Sequence, residues 1–409
     1  MDFVLKREAF LTQIESAFLN FPIVALIGPR QCGKTSLARS YTQTYLPKFN
    51  PVNYFDLEDI RDFERLQHPM LTLENLEGLV VIDEIQRLPA LFPSLRVLVD
   101  QGLVGERQQD EKNNKQKKRF LILGSASRYL INQSSESLAG RIFYIEIRPF
   151  NLNEVQTVDS NFLSVSEHLW LRGGFPRSFL SPTDLVSFNW RESYVRTYLE
   201  QDLPALGLRV PSMVLRRFWM MLAGYHGQIF NASELGRSLG MTDHTVRYYL
   251  NILSETFMVR VLSPWFENIN KRQVKSPKIY FKDSGILHLL LDIHDQKALL
   301  HSRFLGASWE GFALEEVIRK HNAAPEQCYF WSIHGQGELD LLLIKDGKRL
   351  GFEFKFSDVP KVTRSMQQAL ACLNLDQLIV LIPGEAPLFP IDLKIKAVGL
   401  LAYLNQSEI

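Results

Sequence analysis

Over its first third the chain alternates between short apolar runs and longer amphipathic stretches. "IVALIG" from Ile23, "LVVIDE" from Leu79 and "FLILGSA" from Phe120 are continuous enough to read as strands buried on both faces. "YFDLED" from Tyr54 and "IFYIEI" from Ile142 add two more strand-like runs, and helical stretches such as "SLARSYTQ" and "PSLRVLVDQGL" fall between them. Strands alternating with helices predict an α/β unit over 1–150, with a parallel sheet and helices on both faces. "GERQQDEKNNKQKKRF" (Gly105–Phe120) breaks the pattern. Its charge and poverty in apolar residues predict an exposed loop, either a solvated insertion or a basic loop that touches nucleic acid.

After Pro149 the pattern turns helical, giving a helical lid over 151–225. A third segment follows over 226–300. Within it, Asn231–Trp265 reads as helix, glycine turn, helix and short β-hairpin, the plan of a winged helix. Asn231 or Ser233 can cap the first helix, and Thr242 or Asp243 the second. Val246, Leu250, Leu253 and Phe257 recur at helical spacing and should face the core, leaving Thr245, Arg247 and Tyr248 outward where a recognition helix meets base edges. The same plan serves equally as a structural lid. "NINKRQVKSPK" just after it adds local positive charge, which favours nucleic acid. From about Ser308 a helix is followed by the strand-like runs "QCYFWS", "ELDLLLI" and "GFEFKFS", so 301–409 is a second α/β unit.

Composition adds bounds rather than detail. The 409 residues are 46% hydrophobic and 22% charged with net charge +1, so there is ample material for a large core, and nucleic acid would need a local basic patch. No apolar run approaches the roughly 20 residues of a membrane span, and "MDFVLKREAFLTQIE" lacks the apolar stretch of a secretory signal. Cys32, Cys328 and Cys372 have no metal or disulfide spacing. The expectation is a soluble cytoplasmic protein with no membrane partner.

The first chemical motif is "GPRQCGKT", between the first strand and the first helix. Gly28-x-x-x-x-Gly33-Lys34-Thr35 is the full Walker A spacing in the context the motif requires. The backbone of Gly28, Pro29, Arg30, Gln31, Cys32 and Gly33, with Ser36 beyond, would wrap the phosphates of ATP at a helix N-terminus. Lys34 reaches the terminal phosphates and Thr35 holds Mg²⁺. "LVVIDE" supplies the partner: Asp83 holds Mg²⁺ and Glu84 deprotonates the attacking water, the alternative being a capping pair at a strand end. Ser125 ends an apolar strand beside the P-loop strand and can sense the γ-phosphate. Arg141, in "SLAGR", either stabilises developing phosphate charge, in its own or a neighbouring subunit, or makes a surface ion pair.

The order "GPRQCGKT", "YFDLED", "VVIDEIQRLPALFPSLRVLVD", "LILGSAS", "SLAGR", "GGFPRSF" and "YVRTYLEQDL" resembles the AAA-type ATPases that carry a C-terminal DUF4143 region, through nearly the whole chain. The resemblance implies a P-loop AAA-type core followed by a helical lid. In such relatives a G-x-P in the lid lies against adenine, which makes Pro176 an adenine contact and Arg177 a second sensor. Locally, Gly-Gly-x-Pro is equally a helix-breaking turn.

The last motif lies in "GELDLLLIKDGKRLGFEFKFS". Asp346-Gly347 signals a hairpin whose register places Asp340 across from Glu353. Strand alternation puts Glu353 and Lys355 on one face, with Phe352, Phe354 and Phe356 on the other. Facing carboxylates repel, so either Lys355 or a divalent cation must offset them. Asp, then Glu-x-Lys on the next strand, resembles the PD-(D/E)xK nuclease core, which implies Mg²⁺ or Mn²⁺ held by Asp340, Glu353 and a helix acid, Glu310 with Glu315 as second candidate. Lys355 would then position water, and Gln367 and Gln368 would assist. The domain is either an active nuclease or a nuclease-like module that only binds.

Taken together, the sequence predicts a Mg²⁺-dependent ATPase acting on DNA, working as a homo-oligomer if Arg141 serves a neighbouring subunit. The alternatives are a slow nucleotide switch and a protein-remodelling ATPase, each with the C-terminal domain as a docking module.

Overall fold

The computed structural model describes residues 5–45, 51–108, 118–125, 138–156, 162–205, 210–267, 273–333 and 337–406. They form two compact units, Met1–Pro149 with Glu255–Phe257, and Phe150–Ser254 with Met258–Ile409.

The first unit is built on the apolar runs. β1 (Ile23–Ile27), β2 (Val52–Asp56), β3 (Leu79–Asp83), β4 (Arg119–Gly124) and β5 (Ile142–Glu146) form one five-stranded sheet in the order β2-β3-β4-β1-β5. Every pairing is parallel. Burial follows position: β1 and β3 are buried at all five residues, whereas the edge strands β2 and β5 are buried at one each. The helix Lys34–Tyr45 leaves the end of β1, and β4 separates β1 from β3. The C-terminal ends of three central strands therefore converge, with β4 in the middle.

The second unit combines helices with a nine-stranded mixed sheet, in which β6 (Gln228–Ile229), β7 (Val259–Pro264), β8 (Lys278–Phe281), β9 (Cys328–Ile333), β10 (Gly337–Lys345), β11 (Lys348–Phe354), β12 (Gln377–Ile382), β13 (Phe389–Pro390) and β14 (Ile395–Gly399) run in the order β13-β14-β12-β11-β10-β9-β7-β8-β6. The helix Ala232–Leu239 ends on Gly240 at φ 68°, and Asp243–Glu255 follows. Asn231 caps the first of these helices, and Thr242 Oγ1 accepts from the Thr245 N–H at the start of the second. Val246, Leu250 and Leu253 are buried. Phe257 does not continue their stripe, because the helix stops at Glu255 and Phe257 sits beyond it at φ 66°, half-buried. Of the outward trio, Arg247 and Tyr248 are exposed and Thr245 is half-buried.

The hairpin forms in the predicted register, from Leu341–Phe352 to Lys345–Lys348. Asp346 and Gly347 take φ 51° and 78°, the two positive values a tight two-residue hairpin turn needs. Trp331, Leu339, Leu342, Met366, Leu373 and Val380 belong to a core that includes the helix Arg364–Leu373. Both faces of β11 are buried: Glu353 is 4% exposed, and Phe352 and Phe354 no more than that.

Candidate functional site

The P-loop geometry rests on two glycines with separate reasons. A Cβ on Gly28 would lie 2.0 Å from the carbonyl oxygen of Ile147, so only glycine lets the loop pass there. Gly33 has φ 97°, a conformation that disfavours side chains. Lys34 is 4% exposed and donates to the carbonyls of Gly28 (3.1 Å) and Pro29 (2.9 Å). Among the described residues no carboxylate pairs with it. A buried ammonium held only by neutral carbonyls is a site built for an anion. Thr35 Oγ1 donates to Asp83 Oδ2 at 2.8 Å, joining the P-loop helix to the end of β3.

Glu84 lies just past β3 in the left-handed region at φ 53°. Its Oε2 accepts from Ser125 Oγ (3.1 Å) and from the Gln86 amide, which also donates to Ser125 Oγ at 2.7 Å. Lys34, Thr35, Asp83, Glu84 and Ser125 thus gather at the C-terminal ends of the central strands of one sheet. Sequence reasoning gave no role to three supporting residues. Tyr54 donates to Asp83 Oδ2 at 2.7 Å, and burial followed by the Asp83 charge pushes its phenol well above the ordinary range. Gln86 bridges Glu84 to Ser125. Arg7 donates to the carbonyls of Cys32 (3.2 Å) and Arg148 (2.8 Å), bracing the loop from behind. Gln86 was at least readable as a polar residue beside the acid pair; Arg7 and Tyr54 carried no local signal.

Cys32 is buried, with its Sγ 3.3 Å from the Ile147 carbonyl oxygen, and burial pushes its thiol pKa up. Arg30 pairs with Glu58 at 2.7 Å. Arg141 pairs with Asp100 through Nε (2.6 Å) and Nη2 (3.1 Å), the surface ion-pair alternative. Pro176 opens the short helix Pro176–Phe179 in the second unit, half-buried, and Arg177 is exposed. The preceding glycines have a packing reason of their own. A Cβ on Gly173 would meet the Asp283 carboxylate at 2.2 Å, and one on Gly174 the Phe150 carbonyl oxygen at 2.2 Å.

In the second unit the hairpin brings Asp340, Glu353 and Lys355 together. Lys355 Nζ lies 2.7 Å from Glu353 Oε2 and 3.8 Å from Asp340 Oδ2. Glu310 joins them, but through a residue the sequence placed elsewhere. Lys278, read as part of a surface basic run, is 2% exposed; its Nζ is 3.5 Å from Glu310 Oε1, 3.5 Å from Asp340 Oδ1, and in contact with Glu338. Tyr280 donates to Glu310 Oε1 at 2.6 Å. Burial, then the neighbouring Asp340, pushes the carboxyls of Glu310 and Glu353 up. Burial opposes the charge on both lysines, but the surrounding acids outweigh it and hold both ammoniums above their ordinary range.

The expected metal set does not fit this arrangement. Among the described residues no group of three or more His, Cys, Asp or Glu side chains is arranged to hold a metal ion. The physical reason is that Lys278 already stands among the acids with a full positive charge. Glu315 is excluded separately. Its carboxylate receives Arg260 Nη2 at 2.9 Å, and although burial opposes ionisation, that guanidinium holds its pKa down at about 2. Gln367 is exposed, and Gln368 Oε1 has no hydrogen-bond partner among the described residues.

Two curated relatives, the uncharacterized protein Rv2008c of Mycobacterium tuberculosis and the uncharacterized protein Mb2031c of Mycobacterium bovis, are each 44% identical over 382 residues, covering 93% of this chain and 81% of theirs. The AAA domain model matches residues 20–156, and that of the domain of unknown function DUF4143 matches 305–403. The chain belongs to this AAA–DUF4143 family. A further model, the domain of unknown function DUF8612, covers 165–297 of the AAA–DUF4143 protein. Among solved structures, the Walker-type ATPase PABY2304 of Pyrococcus abyssi aligns over 70% of this chain and 96% of its own at 17% identity, with a TM-score of 0.45. The ORC2 protein of Aeropyrum pernix aligns over 72% of this chain and 94% of its own at 12% identity, with a TM-score of 0.38. No helix among the described residues is long and apolar enough to cross a membrane.

Proposed function

We propose that this AAA–DUF4143 protein is a Mg²⁺-dependent ATPase that couples hydrolysis to DNA binding through its second unit, without cutting the DNA. The observation that carries the ATPase reading is Lys34, a buried ammonium with neutral partners only, in a loop whose Gly28 has no room for a side chain. Loop N–H groups and Lys34 bind the phosphates, turning the ammonium away from its carbonyls. Thr35 and Asp83 are the residues that would hold Mg²⁺, and the bound ion neutralises phosphate charge. Glu84 takes the proton of the attacking water, and Ser125 reads the terminal phosphate. Pro176 contacts adenine and Arg177 acts as a second sensor in this reading.

The DNA part rests on the winged-helix reading of Asn231–Trp265, with Arg247 and Tyr248 exposed on the second helix. Absence of cutting rests on Lys278, whose charge takes the place a cation would need. A slow nucleotide switch is the second reading. It is favoured by Glu84 Oε2, which already accepts from both Ser125 and Gln86.

The test is ATP turnover by the full chain, alone and with single-stranded, duplex and branched DNA, the same reactions being run on a gel. Stimulation by DNA without cleavage is expected; turnover indifferent to every DNA favours the switch, and Mg²⁺-dependent cleavage lost in Asp340→Ala overturns the non-cutting part. Lys34→Ala should lower ATP affinity at least about a hundredfold, since it removes a charge-assisted contact in a buried site. Unchanged affinity in a fluorescence titration would sink the P-loop assignment.

A further inference from the structure

The second unit contains a cavity of about 330 Å³, in the size range of small-molecule sites. None of Lys278, Glu310, Asp340 or Glu353 lines it. Its walls come from the helices Phe162–Arg172, Gln296–Leu300, Leu305–Lys320 and Leu400–Asn405 and from the turn at Pro383-Gly384. The lining is mainly aromatic and aliphatic. Trp170 and Trp309 meet edge to face at 5.5 Å, and Phe356 lies 5.6 Å from the first and 6.1 Å from the second. Leu300 is 45% and Phe356 39% exposed, so the cavity opens to solvent at these residues, while Leu400 and Leu401 of its lining are buried.

Among the described residues, two on this lining carry a polar atom with no partner. Trp170 donates its indole N–H to Ser308 Oγ at 2.9 Å, as a buried tryptophan usually does. Trp309 is 4% exposed, yet its Nε1 has no acceptor among the described residues. Gln296 Oε1, also buried as an atom, has no donor among the described residues. An unpaired donor and an unpaired acceptor on one apolar cavity are unusual, because buried polar groups are nearly always satisfied. Glu167, exposed on the same lining, disfavours an anion.

We propose that this cavity binds a planar aromatic molecule with a carboxamide-like edge. The ring lies against the packed rings of Trp170, Trp309 and Phe356, its carbonyl accepts from Trp309 Nε1, and its N–H donates to Gln296 Oε1. The site is independent of the nucleotide reading.

Benzamide is the minimal probe, with toluene as the ring-only control, each titrated into the full chain by calorimetry and ligand-observed NMR. Benzamide should bind with a millimolar or better dissociation constant, and more tightly than toluene. Trp309→Phe keeps a ring and removes the N–H; it should weaken benzamide about tenfold, the worth of one buried hydrogen bond, and leave toluene unchanged. Leu300→Trp, on an exposed position at the mouth, should block both. If Trp309→Phe fails to fold, Gln296→Ala tests the same edge from its other side. Failure of both probes to bind the folded chain overturns the site. Toluene binding as tightly as benzamide does, or benzamide binding unchanged in Trp309→Phe and Gln296→Ala, overturns the carboxamide class.

Discussion

In the proposed mechanism, Gln86 controls how free Glu84 is to act. Its amide holds Glu84 Oε2 and Ser125 Oγ at once, and a carboxylate oxygen with two donors is a poorer proton acceptor than a free one. Gln86→Ala should therefore raise basal ATP turnover several-fold with little change in KM, read in a steady-state assay. A fall in kcat would mean instead that Gln86 positions Glu84. The Walker residues were legible because their spacing is local: a strand, a glycine loop and a helix within a dozen positions. Their supports were not. Arg7 reaches Cys32 across 25 residues and Arg148 across 141, and Tyr54 reaches Asp83 across 29. Nothing in "LKREAF" or "NYFDLE" announces such distant partners.

At the scale of elements, the β10–β11 hairpin sets the electrostatics of the second unit. The turn at Asp346-Gly347 fixed the register in advance, so the meeting of Asp340, Glu353 and Lys355 was legible. Lys278 was missed because a lysine in a basic run reads as surface, although it opens "KIYF", which is buried throughout. Glu310 and Glu353 face Asp340, Glu338, Lys278, Lys355 and Tyr280, and their carboxyls hold protons to higher pH when folded, about 7 and about 8, than the usual 4.5. The folded state then binds more protons than the unfolded state between those limits, so stability falls as pH rises from about 5 to 8. Glu353→Gln should flatten that slope and gain at least about 1 kcal/mol at pH 8, less than one pK unit's worth. Thermal unfolding across the pH range checks this; an unchanged slope counts against it. Lys278→Met should cost about 3 kcal/mol or more by leaving several acids without their cation, as when one partner of a buried pair is removed. Equal melting temperatures for variant and parent would refute the role given to Lys278.

At the scale of the molecule, the proposed division of labour follows the two compact units. The parallel sheet, which the alternating apolar runs predicted, brings Lys34, Thr35, Asp83, Glu84 and Ser125 to the ends of three strands. The second unit was read in pieces, a lid, a helix pair with strands and a nuclease-like domain, because each piece has its own local pattern. Its single sheet could not be read. The pairing of β7 with β9 involves two short stretches, Ser263–Tyr329 and Pro264–Phe330, separated by more than sixty residues. Long-range parallel pairing of that kind leaves no periodic trace in either strand.

That pairing carries a practical consequence for anyone dissecting the chain. A piece cut at about residue 300 looks self-contained, since it keeps the hairpin, the helices and all four acids of the cluster. It leaves behind the one lysine that reaches into them from β8, together with β7, the neighbour that covers the outer edge of β9. Such a piece would carry a bare edge and an excess of buried negative charge. Metal uptake by it would report on the cut, not on the intact protein.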